Sequence, residues 1–304
     1  MNPTQRLFAL LAFLAVAASL AMAQNNSRQD TRHTAPLARS YSENESLVYH
    51  MKAINKGRSD TIRYEADAKG IVRKNSTGFV EEYAWANLSF NGQAAPLPTL
   101  SSDFRQQLSL DPNVPPVMPD FRHVNPMLIG PAADMMTFYA DEWLAIKQGT
   151  LQGMGDHAYV KHGTPSSWAD GVHTIIGQDS IDFDITLKEI NSQDQTAKVM
   201  VRHVPPPKPQ ISTPAKWMDA AVSDTPNNWV EVSKTNDGKY LGEIGKEIFD
   251  VELTVSMKDG RILFADIDNP VTVLARECTD AELAQCSAPE HYEIRRHIEI
   301  NLVP

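Results

Sequence analysis

The chain has 304 residues, of which 42% are hydrophobic, 22% charged and 8% aromatic. Those proportions are globular and exclude a disordered, collagenous or low-complexity polymer. A formal net charge of −10 argues against a protein that binds duplex DNA by neutralising phosphates, so no nucleic-acid partner is expected.

Residues 1–23 read as a secretory signal peptide. Arg6 supplies the positive start, Leu7 to Leu20 the apolar run, and Ala21-Met22-Ala23 the small-x-small pattern that places cleavage after Ala23. The run is shorter than the roughly 20 apolar residues that a membrane helix needs. No other segment is long and apolar enough, so no helical span is expected in the mature chain. The expected location is the periplasm or the extracellular space. Residues 24–45 are polar and read as a flexible leader, with ordered structure starting near Leu47.

From Leu47 onward the hydrophobic period is mostly two. Ile62, Tyr64, Ala66 and Ala68 alternate with polar neighbours, and Lys69-Gly70 is expected to turn the chain. Phe79 to Phe90 is a second strand, with Tyr83 and Trp85 on one face and Ala84, Ala86, Leu88 and Phe90 on the other. Eight prolines between Pro96 and Pro131 interrupt any ladder there, leaving room for a short helix at 102–108. The principal helix is expected at Ala132–Lys147, with Pro131 in its first turn and Gly149 ending it. Its stripe of Met135, Phe138, Tyr139, Glu142, Trp143 and Ile146 recurs at helical spacing.

Strands then resume. Ile181–Leu187 and Ala197–Val201, joined by the polar turn Asn191–Gln195, form a hairpin. Five prolines in 205–214 make a stiff connector, either a domain linker or a loop crossing one domain. Phe249–Met257 is followed by Asp259-Gly260, a strong two-residue hairpin signal. Ile262–Ile267, Val271–Ala275 and Tyr292–Leu302 complete the set. Cys278 and Cys286, with 7 residues between them, are expected to form a disulfide in an oxidising compartment. Closing so short a loop stabilises by about 2–3 kcal/mol.

Known catalytic motifs are absent: no G-x-S-x-G, H-E-x-x-H, Walker A loop, EF-hand loop or C-x-x-C occurs. His157, His162 and His173, with Asp156 and Asp170, are weak metal candidates. His157 and His162 are five apart on one strand and so face opposite ways, and no metal or cofactor is expected. Asp179, Asp182 and Asp184 read as a solvated strand face opposite Lys198 or Arg202. A two-residue turn at Asp259-Gly260 would place Asp266 on the apolar face of its strand. Arg296 lies among Ile294, Ile298 and Ile300. Buried charges are rare unless paired, so Asp266 and Arg296 are expected to pair in the core or to line a polar-floored pocket, with Tyr139 and Trp143 of the helix as its aromatic wall.

No βαβ rhythm occurs, so the expected fold is mainly β: antiparallel sheets forming an open barrel or sandwich, with one principal helix. Residues 46–304 form one domain, or two halves meeting near 148 or at 205–214. This layout resembles the open half-barrels of bacterial periplasmic lipoprotein carriers; the resemblance is of architecture and transfers no site. The expected function is non-enzymatic binding of an apolar or amphipathic small molecule, or of an envelope protein, in a concave sheet closed by the helix. The alternatives are a hydrolase built on His157, His162 and Asp170, and a structural protein of envelope assembly.

Overall fold

A computed structural model describes residues 37, 39–58, 60–76, 78–97, 105–109, 126–147, 151, 153–162, 168–169, 173–221 and 223–303. Residues 1–23, expected to be a signal peptide, lie outside the described residues, as do Gly149, Asp170 and the side chains of Tyr139, Trp143 and His162. The fold is mainly β, 60% strand and 8% helical, in an antiparallel sheet that does not close.

The first three strands form a meander: β1 (Ser46–Lys56), β2 (Thr61–Asn75) and β3 (Gly78–Phe90). The short β4 (Gln93–Ala94) and β5 (Arg105–Ser109) pair with β3. Helix α1 (Pro126–Lys147) follows, then β6 (His157–His162), β7 (Trp168–Ala169) and β8 (His173–Gly177). The hairpin of β9 (Ile181–Asn191) and β10 (Thr196–Val204) leads through the proline stretch to a 3₁₀ helix at Lys216–Ala221. The last strands are β11 (Asn227–Lys234), β12 (Tyr240–Glu247), β13 (Asp250–Ser256), β14 (Ile262–Cys278) and β15 (Glu290–Val303).

The sheet forks at β14. A common limb runs β3–β2–β1–β15–β14. The first part of β14, Ile262–Asp268, then pairs with β13, continuing through β10 and β9 to β6. Its second part, Val271–Cys278, pairs with β12, continuing through β11 and β8 to β7. Thus β12 and β13 are successive neighbours along one edge of β14, separated only by Ile248 and Phe249. Pro270 explains the break. In an antiparallel ladder a residue's N–H and C=O point to the same neighbour. The Pro270 carbonyl accepts the Ile248 N–H at 3.1 Å, so the donor that proline lacks faces the gap between β12 and β13. Asn269 fills that gap, donating from Nδ2 to the Ile248 carbonyl at 3.0 Å. The two strands expected at 262–267 and 271–275 are therefore one, and Pro270 interrupts the partner instead of its own strand.

Two cores result. The larger joins inner residues of β1, β2 and β3 to those of β6, β9, β10 and β13, with Leu128, Ala132, Met135, Met136 and Phe138 of α1 among them. Because both outer limbs share this core with the helix, the sheet β3–β2–β1–β15–β14–β13–β10–β9–β6 curls around α1 as a half-barrel. The smaller core lies on the opposite face of the second branch, where Met218 and Ala221 of the 3₁₀ helix cover Val230 and Ile244. The disulfide Cys278–Cys286 closes this end, and Trp217 Nε1 donates to the Leu283 carbonyl inside its loop at 3.1 Å.

Several local expectations are corrected. Helix α1 starts at Pro126, so Pro131 lies within it; Pro126 takes the first-turn place suited to a residue without N–H. Residues 105–109 are a strand, because the exposed edge of β3 offers pairing that outweighs local preference. Gly70 does not turn the chain; β2 continues to Asn75. Asn87 adopts a left-handed φ of 52° at a bulge between β2 and β3, which brings Leu88 onto the buried face of Tyr83 and Trp85. The leader is anchored at its end: Leu37 is buried, and Arg39 pairs with Glu45 at 2.5 Å while the Ser40 N–H reaches the Asp259 carbonyl at 2.8 Å. The proline stretch crosses one unit, since Gln210 and Asp179 exchange hydrogen bonds and residues 35–304 cluster together.

Candidate functional site: a polar seam at the fork

The strand registers define transverse rows on the concave side. One row is apolar: Ala53, Ile298, Ile267, Val251, Val201 and Ile185 lie side by side across β1, β15, β14, β13, β10 and β9. The next row, at the fork, changes character. Asn55, Arg296 and Asn269 are cross-strand neighbours, and His203 lies opposite Phe183 further along.

Arg296 is the centre of this seam. Its guanidinium contacts the carboxylate of Asp134 from α1 and donates from NH1 to Asn269 Oδ1 at 3.1 Å. Asp134 is 1% exposed at its side chain, Arg296 24%. Tyr64 of β2 donates its hydroxyl to the other Asp134 oxygen at 2.6 Å. A second carboxyl, Glu247 at the end of β12, accepts from Asn227 Nδ2 at 3.0 Å and from the Trp229 indole. Burial pushes both carboxyls above the usual range, Asp134 against the opposing pull of Arg296, Glu247 against Arg296, Trp229 and Asn227. The seam thus holds two carboxyls for one guanidinium.

The expected pairing of Arg296 with Asp266 is corrected. The loop after β13 is not a two-residue turn. Ser256 and Arg261 close it by a 2.8 Å hydrogen bond, with Gly260 at φ 71°. A bulge follows between Thr254 and Val255, so Leu253 meets Ala265 and Glu252 meets Asp266. The slip of one residue turns Asp266 to the convex face, where it is half-exposed and 3.5 Å from His297. Burial raises its carboxyl above the usual range despite His297.

Asp134 and Glu247 were not anticipated. A helix starting at Ala132 places Asp134 in the first turn, where an acid is welcome; the true start puts it mid-helix on the buried arc. Tyr64 and Asn269 read in sequence as ordinary strand and turn residues. The remaining candidates are scattered. His157 is exposed on β6 and sits 3.3 Å from Asp184. His173 lies on β8 in the other branch. Arg202 stands opposite Asp184 across the hairpin as expected, although its ion pair and that of Lys198 are made to Asp250 and Glu252 of β13, and Asp182 is buried instead of solvated, accepting the Tyr159 hydroxyl at 2.9 Å. Among the described residues no group of three or more His, Cys, Asp or Glu is arranged to hold a metal ion. No helix among them is long and apolar enough to cross a membrane.

His203 of β10 is the other notable inner residue. Its ring lies between Phe183 and Phe249, each 4.5 Å away between centroids. Neither ring nitrogen has a hydrogen-bond partner. Burial lowers its pKa to about 3, so the ring is neutral at physiological pH.

Compared with known proteins, the chain matches no protein-family model, no curated protein and no solved structure.

Proposed function

We propose that the protein binds an amphipathic ligand without chemical conversion, holding the apolar part in the half-barrel and the polar part at the seam. The observation that carries this reading is the juxtaposition of rows: an apolar concave sheet wrapped around one helix, bordered along one edge by a row of buried and half-buried polar groups. Ligand sites have this make-up, a largely apolar lining with a few placed polar groups. The helix is the element suited to move. Its buried arc carries Met135 and Met136, side chains that repack readily, and its buried polar anchor is Asp134. A hydrolase reading gains no support from the described residues: His157 stands exposed on β6 beside Asp184, and the His162 side chain and Asp170 lie outside them.

Native mass spectrometry of the purified protein tests the proposal, with denaturing spectra identifying what is released. The expected result is a retained apolar mass, or saturable uptake of an added long-chain alcohol. Asp134→Asn, which weakens the helix anchor, should raise the uptake rate. A protein that neither retains an apolar molecule nor takes one up saturably would overturn the reading.

A further inference from the structure

The face of the second branch that continues from the seam is acidic and aromatic. Successive rows of the register, moving away from Arg296, run Ile294–Val271–Glu247–Asn227, then Tyr292–Val273–Gly245–Trp229, then Glu290–Ala275–Glu243–Glu231. Glu231 and Glu243 are direct cross-strand neighbours. Like charges in that relation repel, and both are only half-buried. Within these rows the strands contribute four carboxyls and no lysine or arginine; each is engaged, Glu290 by Arg58 of the β1–β2 turn, Glu243 by the Tyr292 hydroxyl, Glu247 by Asn227, and Glu231 by a neighbour of its own.

An aromatic platform lies between the acids. Gly245 leaves room for it: a Cβ there would be 2.0 Å from Cε2 of Trp229. The indole therefore lies flat on the sheet, with the half-buried Tyr292 in the same row beyond β12 and β14 and bonded to Glu243. A separate observation points to a missing donor. Asn227 is 8% exposed, and its Nδ2 faces Glu247, yet its Oδ1 has no hydrogen-bond partner. An unpaired acceptor buried beside a carboxylate asks for a donor that carries positive charge.

We propose that this face receives a primary ammonium head group, and that the ligand of the half-barrel is a cationic amphiphile. The proposal rests on the half-barrel reading above and adds the charge of the head group. The ammonium would donate to Asn227 Oδ1 and to the neighbouring carboxylates, with Trp229 supplying a cation–π face. An anionic head group would meet Glu231, Glu243 and Glu247, while Arg296 is already engaged by Asp134.

The test is calorimetric titration of the purified protein with decylammonium, decyl sulfate and decanol, all below their micellar or solubility limits. Decylammonium is expected to bind at least about tenfold more tightly than decyl sulfate, the ratio expected of one net charge-assisted hydrogen bond. Its affinity should fall as salt rises, a measurement that needs no variant. Glu231→Gln with Glu243→Gln, isosteric changes at half-buried positions, should weaken decylammonium about tenfold and leave decanol unchanged. Equal or tighter binding of decyl sulfate, or a double variant that keeps the full preference, overturns the proposal. Decanol binding without head-group preference overturns it alone and leaves the half-barrel reading standing. Failure of all three probes to bind overturns both.

Discussion

Replacing His203 with phenylalanine should make the protein more stable and less sensitive to mild acid. The folded ring titrates near pH 3, against about 6.5 in an unfolded chain. Between those values the unfolded state binds more protons, so stability rises with pH across the window and is fully present above about pH 6.5. At pH 5 the deficit relative to neutral pH is about 2 kcal/mol, from 1.36 kcal/mol per unit of separation. Above the window a second effect remains. The two ring nitrogens are buried without partners, and relieving such a group is worth roughly 1–3 kcal/mol. Phenylalanine keeps the stack with Phe183 and Phe249 but adds bulk, which offsets up to about 1 kcal/mol. Urea unfolding at pH 7.5 should therefore show His203→Phe ahead by roughly 1–2 kcal/mol, with the gap widening by about 2 kcal/mol more at pH 5. The comparison between the two proteins cancels the carboxyls that also titrate in this range. Parallel stability curves from pH 7.5 to 5 would refute the reasoning, because they would mean that His203 is hydrated and titrates normally. His203→Leu, a smaller change, guards against overpacking.

Arg296→Met leaves Asp134 and Glu247 without their cation and should cost about 3–5 kcal/mol in urea unfolding. Asp134→Asn should cost less, because Arg296 keeps Glu247 nearby, and the double variant should lose less than the sum of the two; strict additivity would show that the pair does not interact. Gly245→Ala drives a Cβ into the Trp229 ring. It should destabilise by about 1–3 kcal/mol and shift tryptophan emission; an unchanged spectrum with unchanged stability would contradict the flat-lying indole. Reducing Cys278–Cys286 should remove about 2–3 kcal/mol and expose Trp217, which the disulfide loop holds through Leu283. Quenching by iodide after reduction checks this.

Much of the sheet was legible in the sequence, because a strand with one buried face must alternate. The inner faces of β2, β9, β10 and β15 follow the alternation of Tyr64–Ala66–Ala68, Phe183–Ile185–Leu187, Ala197–Val199–Val201 and Ile298–Ile300. The antiparallel class, the open sheet, the principal helix and the disulfide follow from the same local rules and the cysteine spacing. Arg296 announced itself as a charge on an apolar face. Its partner did not, since Asp134 is 162 residues away and no local rule connects a helix to the last strand.

Tertiary structure decided the rest through register. A single bulge in the β13–β14 ladder moved Asp266 to the convex face, and a residue that alternation placed beside Arg296 left the site. Pro270 could be read only as a break; which chain it broke depended on what lay beside it, and the answer split the sheet in two. Glu247 and Asn269 became site residues because that fork opens where they stand. Alternation assigns a residue to a face with a period of two, whereas a site is assembled by pairing between strands, and pairing is settled by turns, bulges and packing distant in the chain.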